Sequence, residues 1–99
     1  MHSAVRSYLR AQAHALKPIV MVGKGGLNAA IVSALDEALT SHELVKVKFQ
    51  AHKDEKREIS DALAEQTTSE VVSIIGFIAT FYRGSENHLI RIPLELLAK

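Results

Sequence analysis

The stretch IVMVGKGGLN, residues 19–28, decides how this chain can fold. It begins with four apolar residues, mostly β-branched, and such a run predicts a strand buried on both faces. Three glycines and a lysine follow, and an amphipathic segment begins directly after them. Glycine loses more backbone entropy on folding than any other residue, so three glycines within four positions need a reason. A tight turn and a binding loop are both open at this point.

The segments around this loop alternate between helical and extended patterns. In chain order the predicted elements are helix 3–16 with a possible cap at Ser3, strand 19–22, helix 27–41, strand 43–51, a helix capped by Asp54, and strands 70–75 and 77–83. The last two strands meet at Gly76, and residues 89–93 are predicted to form a short extended tail. The order of elements is therefore α-β-α-β-α-β-β.

This order predicts an α/β fold of the α+β two-layer type. A strand, a helix and a strand in series predict a parallel pair joined by a right-handed crossover, and the last two strands are close enough to pair antiparallel. Segment 43–51 alternates apolar and polar residues, so one of its faces is wet and basic. We therefore expect helices mainly on one side of a small mixed sheet, within a single domain over residues 1–99.

The composition excludes several classes of protein. Apolar residues make up 47% of the 99 residues, as in globular chains, and there is no cysteine to form disulfides or thiolate metal sites. The longest apolar run, 71–82, is too short to span a bilayer as a helix, and the first residues lack the apolar core of a secretory signal. These features predict a cytoplasmic protein that does not enter membranes.

The glycine loop matches one of three known binding patterns. A Walker A loop and a dinucleotide-binding loop both fail, because no GK[ST] sequence is present and Asn28 stands where a third glycine is needed. The pattern GxxG is met by Gly23–Gly26. Such a loop lets a nucleic-acid backbone approach the main chain, and the helix that follows offers free amides to a phosphate. By itself, however, the pattern is equally typical of a strand-to-helix turn.

Basic residues near this loop extend the candidate surface. Lys46 and Lys48 share one face of a strand. The same arrangement is also typical of lysines that only keep an open sheet face soluble. The residues predicted to contact nucleic acid are Gly23, Lys24, Gly25, Gly26, Lys17, Lys46, Lys48 and Arg83.

Three blocks of sequence resemble one family. AHALKPIVMVGKGGLN (13–28), ALTSHELVKVKF (38–49) and IIGFIATFYR (74–83) are similar in order and spacing to the YhbY-type RNA-binding proteins, or CRM domains, over about residues 5–92. The resemblance implies a four-stranded mixed sheet of order 1-2-4-3, similar to the C-terminal domain of translation initiation factor three. It also implies RNA contact through the GxxG loop and nearby basic residues. The implied function is to assist assembly of the large ribosomal subunit, and the implied partner is large-subunit ribosomal RNA or its precursor particle. We expect the protein to be a monomer when free.

The chain departs from the family pattern at two places. Members often carry a glycine before the third strand, where this chain has TTS (67–69), and a change there is expected to alter only a turn. Many carry a lysine where this chain has Phe77, which puts a basic contact in doubt and leaves an aromatic ring able to stack on a base.

An enzyme is not expected from this sequence. The five histidines show no metal-binding spacing, no set of nucleophile and base is recognisable, and neither a metal nor a cofactor is predicted. The alternative to an RNA-binding protein is a protein-interaction module, which would use the acidic third helix and the apolar tail IPLELLAK (92–99).

Overall fold

The computed structural model describes residues 1–85 and 89–97. The elements in chain order are α1 (Ser3–Ala13), β1 (Val20–Val22), α2 (Ala29–His42), β2 (Leu44–Phe49), a 3-10 turn (Lys53–Glu55), α3 (Lys56–Thr67), β3 (Glu70–Ile75), β4 (Ile78–Tyr82) and the short α4 (Leu94–Leu97). The predicted order of helices and strands is confirmed.

The four strands form one mixed sheet of order β1-β2-β4-β3. β1 and β2 are parallel, and β4 runs antiparallel to both β2 and β3. The sheet and its order are those that the family resemblance implied. Because β1, β2 and β3 run in the same direction, their carboxyl ends lie at one edge of the sheet. We call this side of the sheet, where the three strands end and segments 23–28, 50–55 and 76–77 follow them, the loop edge; it is distinct from the two edge strands β1 and β3.

Helices α2 and α3 cover one face of the sheet, as the alternation in β2 predicted. Their apolar residues pack with the inward residues of the strands into the main core. Its fully buried members are Val22, Leu35, Leu39, Val45, Val47, Phe49, Leu63, Ala79 and Phe81. Burial of side chains of this kind is the main favourable contribution to folding.

Helix α1 covers part of the opposite face. Val5, Leu9 and Ala13 pack there on Leu44 and Val72, together with half-buried residues of the C-terminal segment. A bulge between Val71 and Ser73 lets β3 turn Val72 into this second core.

Strand β1 is not buried on both faces, so that prediction was wrong. Val20 and Val22 are buried, whereas Met21 between them is 41% exposed. The reason is tertiary: β1 is an edge strand, and α1 contacts β2, β3 and β4 on that face. The carboxyl half of the open face therefore exposes Met21 and Lys48 to solvent.

Several helix boundaries and caps differ from the predicted ones. Helix α1 ends at Ala13 and is capped by His2, whose Nδ1 accepts a hydrogen bond from the Ala4 amide, instead of by Ser3. Asp54 lies inside the 3-10 turn and does not cap α3. Residues 89–93 form no strand.

The turn before β3 uses a threonine where glycine is favoured. Thr68 follows α3 with φ 53° and ψ 46°, the left-handed conformation in which helices often end on glycine. This position lies within the TTS segment that departs from the family pattern, so the departure places a β-branched residue in a conformation that is unfavourable for it.

A buried carboxylate joins the end of α2 to the C-terminal segment. Glu43 follows α2 with φ 62°, is fully buried, and accepts hydrogen bonds from the Ser85 amide at 2.8 Å, the Ser85 hydroxyl, and the Ile90 amide at 2.9 Å. Beyond Ile90, the segment packs Ile92 and Leu96 on the second core, while Leu94 and Leu97 stay exposed.

Candidate nucleic-acid interface

The three loop glycines have different structural roles. The Gly26 amide donates to the Gly23 carbonyl at 3.0 Å, which closes a tight turn, and Gly26 has φ 62°, a value that favours glycine. A Cβ on Gly25 would lie 2.8 Å from Nδ2 of Asn28, whose Oδ1 caps α2 by accepting from the Ile31 amide. A Cβ on Gly23 would meet nothing within 4 Å. The turn therefore needs Gly26 for its conformation and Gly25 for space.

His52 holds this loop from the neighbouring strand end. Its Nε2 lies 2.8 Å from the Lys24 carbonyl oxygen, and its Nδ1 lies 3.3 Å from Oε1 of Glu55. Both oxygens only accept, so only the doubly protonated imidazolium can donate to both at once. The Lys24 carbonyl, and then the Glu55 carboxylate, raise the pKa of His52 above its ordinary value of 6.5. The ring is also 3.2 Å from the place that a Gly26 Cβ would take.

The hydrogen bonding of His52 at the glycine loop is expected to depend on pH. Because its folded-state pKa is raised, both hydrogen bonds are present together below pH 6.5, and as pH rises through the higher folded-state value the neutral ring, with a single N–H, can keep only one of them. The amide NMR signals of Lys24 and Gly25 should shift with pH, with a midpoint above 6.5. In His52→Gln this transition should disappear, whereas His42→Gln, at an exposed histidine on α2, should keep it. Identical titrations in parent and His52→Gln would contradict the assignment.

The tip of the β3–β4 hairpin lies at the same edge. Gly76 has φ 59°, and the Phe77 carbonyl accepts from the Phe49 amide at 2.7 Å, which ties the tip to the end of β2. Lys56 donates to the Gly76 carbonyl at 2.6 Å. The ammonium groups of Lys53 and Lys56 lie 4.4 and 5.4 Å from the centroid of the Phe77 ring, which is within the range of cation–π attraction.

Lys48 joins the loop edge from the open face of the sheet. It pairs with Met21 on one side and Ile78 on the other, one residue before β2 ends at Phe49. Gly23–Gly26, Lys48, Lys53, Lys56 and Phe77 thus all lie at or next to the loop edge, and together we call them the loop-edge surface. Asp54 and Glu55 are carboxylates on the same turn, and the one on Glu55 faces His52.

The structure brings some of the predicted contact residues together and separates others. Lys24 and Lys48 lie on the loop-edge surface with the glycines. Lys46 is two residues further back in β2, half-buried, and its Nζ donates to the Leu16 carbonyl at 3.1 Å. Lys17 precedes β1 at the opposite end of that strand.

Arg83 also lies away from the loop-edge surface. It follows β4, which begins at the loop edge and ends at the opposite edge. Its guanidinium donates to Asp36, Thr40 and the Thr67 carbonyl at 2.7–2.9 Å, so it joins α2 to the end of α3. The structure thus gives this side chain a packing role between α2 and α3, away from the loop-edge surface.

Sequence reasoning missed three residues of this region, His52, Lys53 and Lys56. They directly follow β2, and the sheet order 1-2-4-3 places the end of β2 between the glycine loop and the hairpin tip. The signal that could have found them is that shared edge of parallel strands, combined with the segment HKDEK (52–56).

The described part of the chain contains neither a metal-binding cluster nor a helix that could span a membrane. In residues 1–85 and 89–97, no three histidine, aspartate or glutamate side chains come together as a metal site would require. None of the helices described there has the length and apolar character needed to cross a membrane.

Comparison with known proteins identifies the family. The model of the CRS1/YhbY (CRM) domain matches residues 1–83. The chain belongs to the CRM domain family. The chain is similar to an RNA-binding protein of Haemophilus influenzae, with 37% identity over 89 residues, and to "Probable RNA-binding protein YqeI" of Bacillus subtilis, with 38% identity over 90 residues. Each alignment covers 89% of this CRM chain. The alignments cover 90% of the Haemophilus influenzae protein and 94% of the Bacillus subtilis protein.

A solved structure supports the same assignment. The solution structure of SAV1595 from Staphylococcus aureus, described in its title as a hypothetical protein proposed to bind RNA, matches this CRM domain with a TM-score of 0.78 and 40% sequence identity. The match covers 94% of this chain and 100% of that one. The resemblance and the mixed α/β fold that it implied are therefore confirmed.

Proposed function

We propose that this CRM domain binds RNA and holds its backbone phosphates on the loop-edge surface. The observation that carries this proposal is the meeting, at one sheet edge, of a glycine turn with the side chains of Lys24, Lys48, Lys53 and Lys56. Phosphate contacts by lysine supply the main sequence-independent part of nucleic-acid affinity. The RNA-binding descriptions of the relatives support the same class of ligand.

The loop offers a phosphate both charge and space. Lys24 and Gly25 are exposed, whereas Gly26 is buried against His52, so the approach is over the first part of the turn. Within the described residues, the side-chain ammonium groups of Lys24 and Lys48 have neither a hydrogen bond nor an ion pair, which leaves both available to a phosphate. The amino end of α2, just after the loop, adds the positive end of a 14-residue helix dipole.

The finer parts of the proposal concern the partner and its location. We propose that the RNA is large-subunit ribosomal RNA or its precursor particle, bound in the cytoplasm by a monomeric protein. This protein assists assembly of the large subunit, is not an enzyme and needs no cofactor. The family resemblance supports this assignment. Gradient sedimentation from growing cells tests it, because the protein should travel with large-subunit precursors at low salt. Finding it only at the top of the gradient would reject the ribosomal partner and leave general RNA binding intact.

Removing either free lysine is expected to weaken RNA binding. Each phosphate contact changes the slope of log affinity against log salt by about 0.7–0.9, which corresponds to roughly five- to eightfold in affinity per decade of salt below 1 M. Lys24→Gln and Lys48→Gln should therefore each lower affinity several-fold at about 0.1 M salt and flatten the slope by about one contact. Filter binding of a structured RNA over a range of salt concentrations measures both effects.

A charge-matched control separates site binding from general attraction. Arg91→Gln removes one positive charge from the C-terminal segment, in the region of Tyr8 and Ile92 instead of the loop edge. It should change affinity less than twofold. If all three variants lose the same affinity, the lysines act only through total charge, and the loop-edge surface is not the site.

The tail favours one alternative function. Leu94 and Leu97 are 80% and 56% exposed, and exposed leucines are typical of protein-binding surfaces. A protein-interaction module would bind its partner with little dependence on salt, whereas RNA held by phosphates dissociates steeply as salt rises.

A further inference from the structure

The Phe77 side chain has no packing role in the core of this fold. It is 47% exposed and belongs to neither of the two apolar cores. Its backbone, in contrast, is fixed: the Phe77 carbonyl accepts from Phe49, and the preceding carbonyl accepts from Lys56. An exposed aromatic ring is thus held at a defined place on the hairpin tip.

The surroundings of this ring match the chemistry of a nucleotide. Lys53 and Lys56 place ammonium groups within 5.4 Å of its centroid. A nucleotide combines a flat base with an anionic phosphate, and single-stranded nucleic acids are bound by aromatic platforms beside positive charge. Cation–π attraction at an exposed site is weaker than base stacking, so a base can take the place of an ammonium group on the ring.

The space at the tip allows such an approach. Gly76 has nothing within 4 Å of the position of a Cβ, so the turn is open on that side. Ile75 and Ile78, on the open face of the sheet beside the tip, are exposed and half-buried, respectively. Lys48 pairs with Ile78, which makes the tip continuous with the surface proposed to hold phosphates.

We propose that Phe77 stacks on an unpaired base of the bound RNA while Lys53 and Lys56 contact the phosphates beside it. This inference rests on the proposed RNA-binding function and adds the class of RNA to it: a segment with at least one unpaired nucleotide next to the part held by the glycine loop. A duplex offers no free base face at that point, so discrimination between unpaired and paired RNA is located at the hairpin tip.

The test compares two ring variants on two probes. The probes are a single strand of twelve uridines and a twelve-base-pair RNA duplex. Phe77→Leu should lower affinity for the single strand about tenfold, because stacking on one aromatic residue is of that order, and should change duplex affinity less than twofold. Phe77→Tyr, which keeps a ring, should bind both probes like the parent. Thermal melting of each variant confirms that the fold is intact.

A fluorescence reporter gives an independent readout. The chain contains no tryptophan, so Phe77→Trp introduces a single one. Its emission should be quenched when the uridine strand binds, whereas a tryptophan at the exposed position of Leu94 (Leu94→Trp) should not respond.

The outcomes distinguish this inference from the function on which it rests. If Phe77→Leu binds both probes like the parent while Lys24→Gln and Lys48→Gln weaken binding, stacking is rejected and phosphate binding stands. If the parent binds neither probe at low salt, both proposals fall together. Equal loss of affinity for strand and duplex in Phe77→Leu would also reject stacking, because the ring would then serve only to hold the two lysines.

Discussion

Glu43→Gln should lower the free energy of unfolding by about 2–3 kcal/mol, because hydrogen bonds to a buried charged group are strong and an unmatched donor is costly. The carboxylate accepts from two backbone amides and one hydroxyl, and the amide group of glutamine would turn a donor toward one of these donors. For a chain of this length the melting temperature should fall by roughly 10–20 °C. Calorimetry or circular dichroism at neutral pH measures the change.

The effect of this substitution should depend on pH. Burial alone raises the pKa of Glu43, but hydrogen bonds from the Ser85 hydroxyl and from the amides of Ile90, Leu89 and Ser85 outweigh it and lower the pKa below 4.5. A group with a lowered pKa stabilises the fold above its unfolded-state value and loses that contribution as pH falls through the folded-state value. The difference between parent and variant should therefore be full above about pH 5 and shrink in more acidic solution.

A matched control is available on the same helix. Glu37→Gln makes the identical chemical change at an exposed position of α2 and should alter stability by less than about 0.5 kcal/mol. Equal melting temperatures for Glu43→Gln and Glu37→Gln would show that the buried carboxylate does not hold the C-terminal segment to the domain.

Arg83→Lys should lower the free energy of unfolding by about 2–3 kcal/mol, because a lysine cannot reproduce the planar fork of an arginine that serves several acceptors. The guanidinium is 23% exposed and donates to Asp36, Thr40 and the Thr67 carbonyl. Loss of these contacts frees the carboxyl end of α3 from α2. Urea denaturation measures the change in stability.

The same variant also tests where RNA binds. Below its melting temperature, Arg83→Lys should bind RNA within twofold of the parent, because Arg83 lies at the edge opposite the glycine loop. Arg57→Lys is the control for stability: Arg57 pairs with Asp61 at 3.6 Å on an exposed face of α3, and exposed pairs contribute little. If Arg83→Lys is folded but binds RNA much more weakly than the parent, Arg83 belongs to the RNA-binding surface and this prediction is wrong.

Residues close together in the chain were predicted well. The alternation of Val45, Lys46, Val47 and Lys48 predicted a strand with one core face and one wet face. The core face is confirmed, whereas on the other face Lys48 is exposed and Lys46 is half-buried. The helical spacing over 27–41 predicted α2 to within two residues at either end. These predictions succeed because side chains point to the same face every second residue in a strand and every three to four residues in a helix. The spacing of apolar residues therefore indicates directly which face is buried.

The candidate site was only partly predictable for the same reason. Gly23–Gly26 and Lys24 are neighbours in sequence, and their grouping needed no tertiary information. Lys53 and Phe77 are separated by more than twenty residues, and they meet because β4 returns antiparallel beside β2. The periodicity of apolar residues does not predict which strands pair with each other. The contact between Lys53 and Phe77 could therefore not be predicted from local sequence patterns.

The amino-acid sequence by itself determined the order of elements, the glycine turn after β1 and the core face of β2. The tertiary structure alone decided which charges share a surface. In the folded protein, Arg83 donates hydrogen bonds to α2 and α3, the carboxylate of Glu43 is buried, and His52 forms a hydrogen bond with the Lys24 carbonyl. The physical reason is that the environment of a charged side chain depends on acceptors and donors brought from distant parts of the chain, whereas the identity of its own element depends on residues within one or two turns.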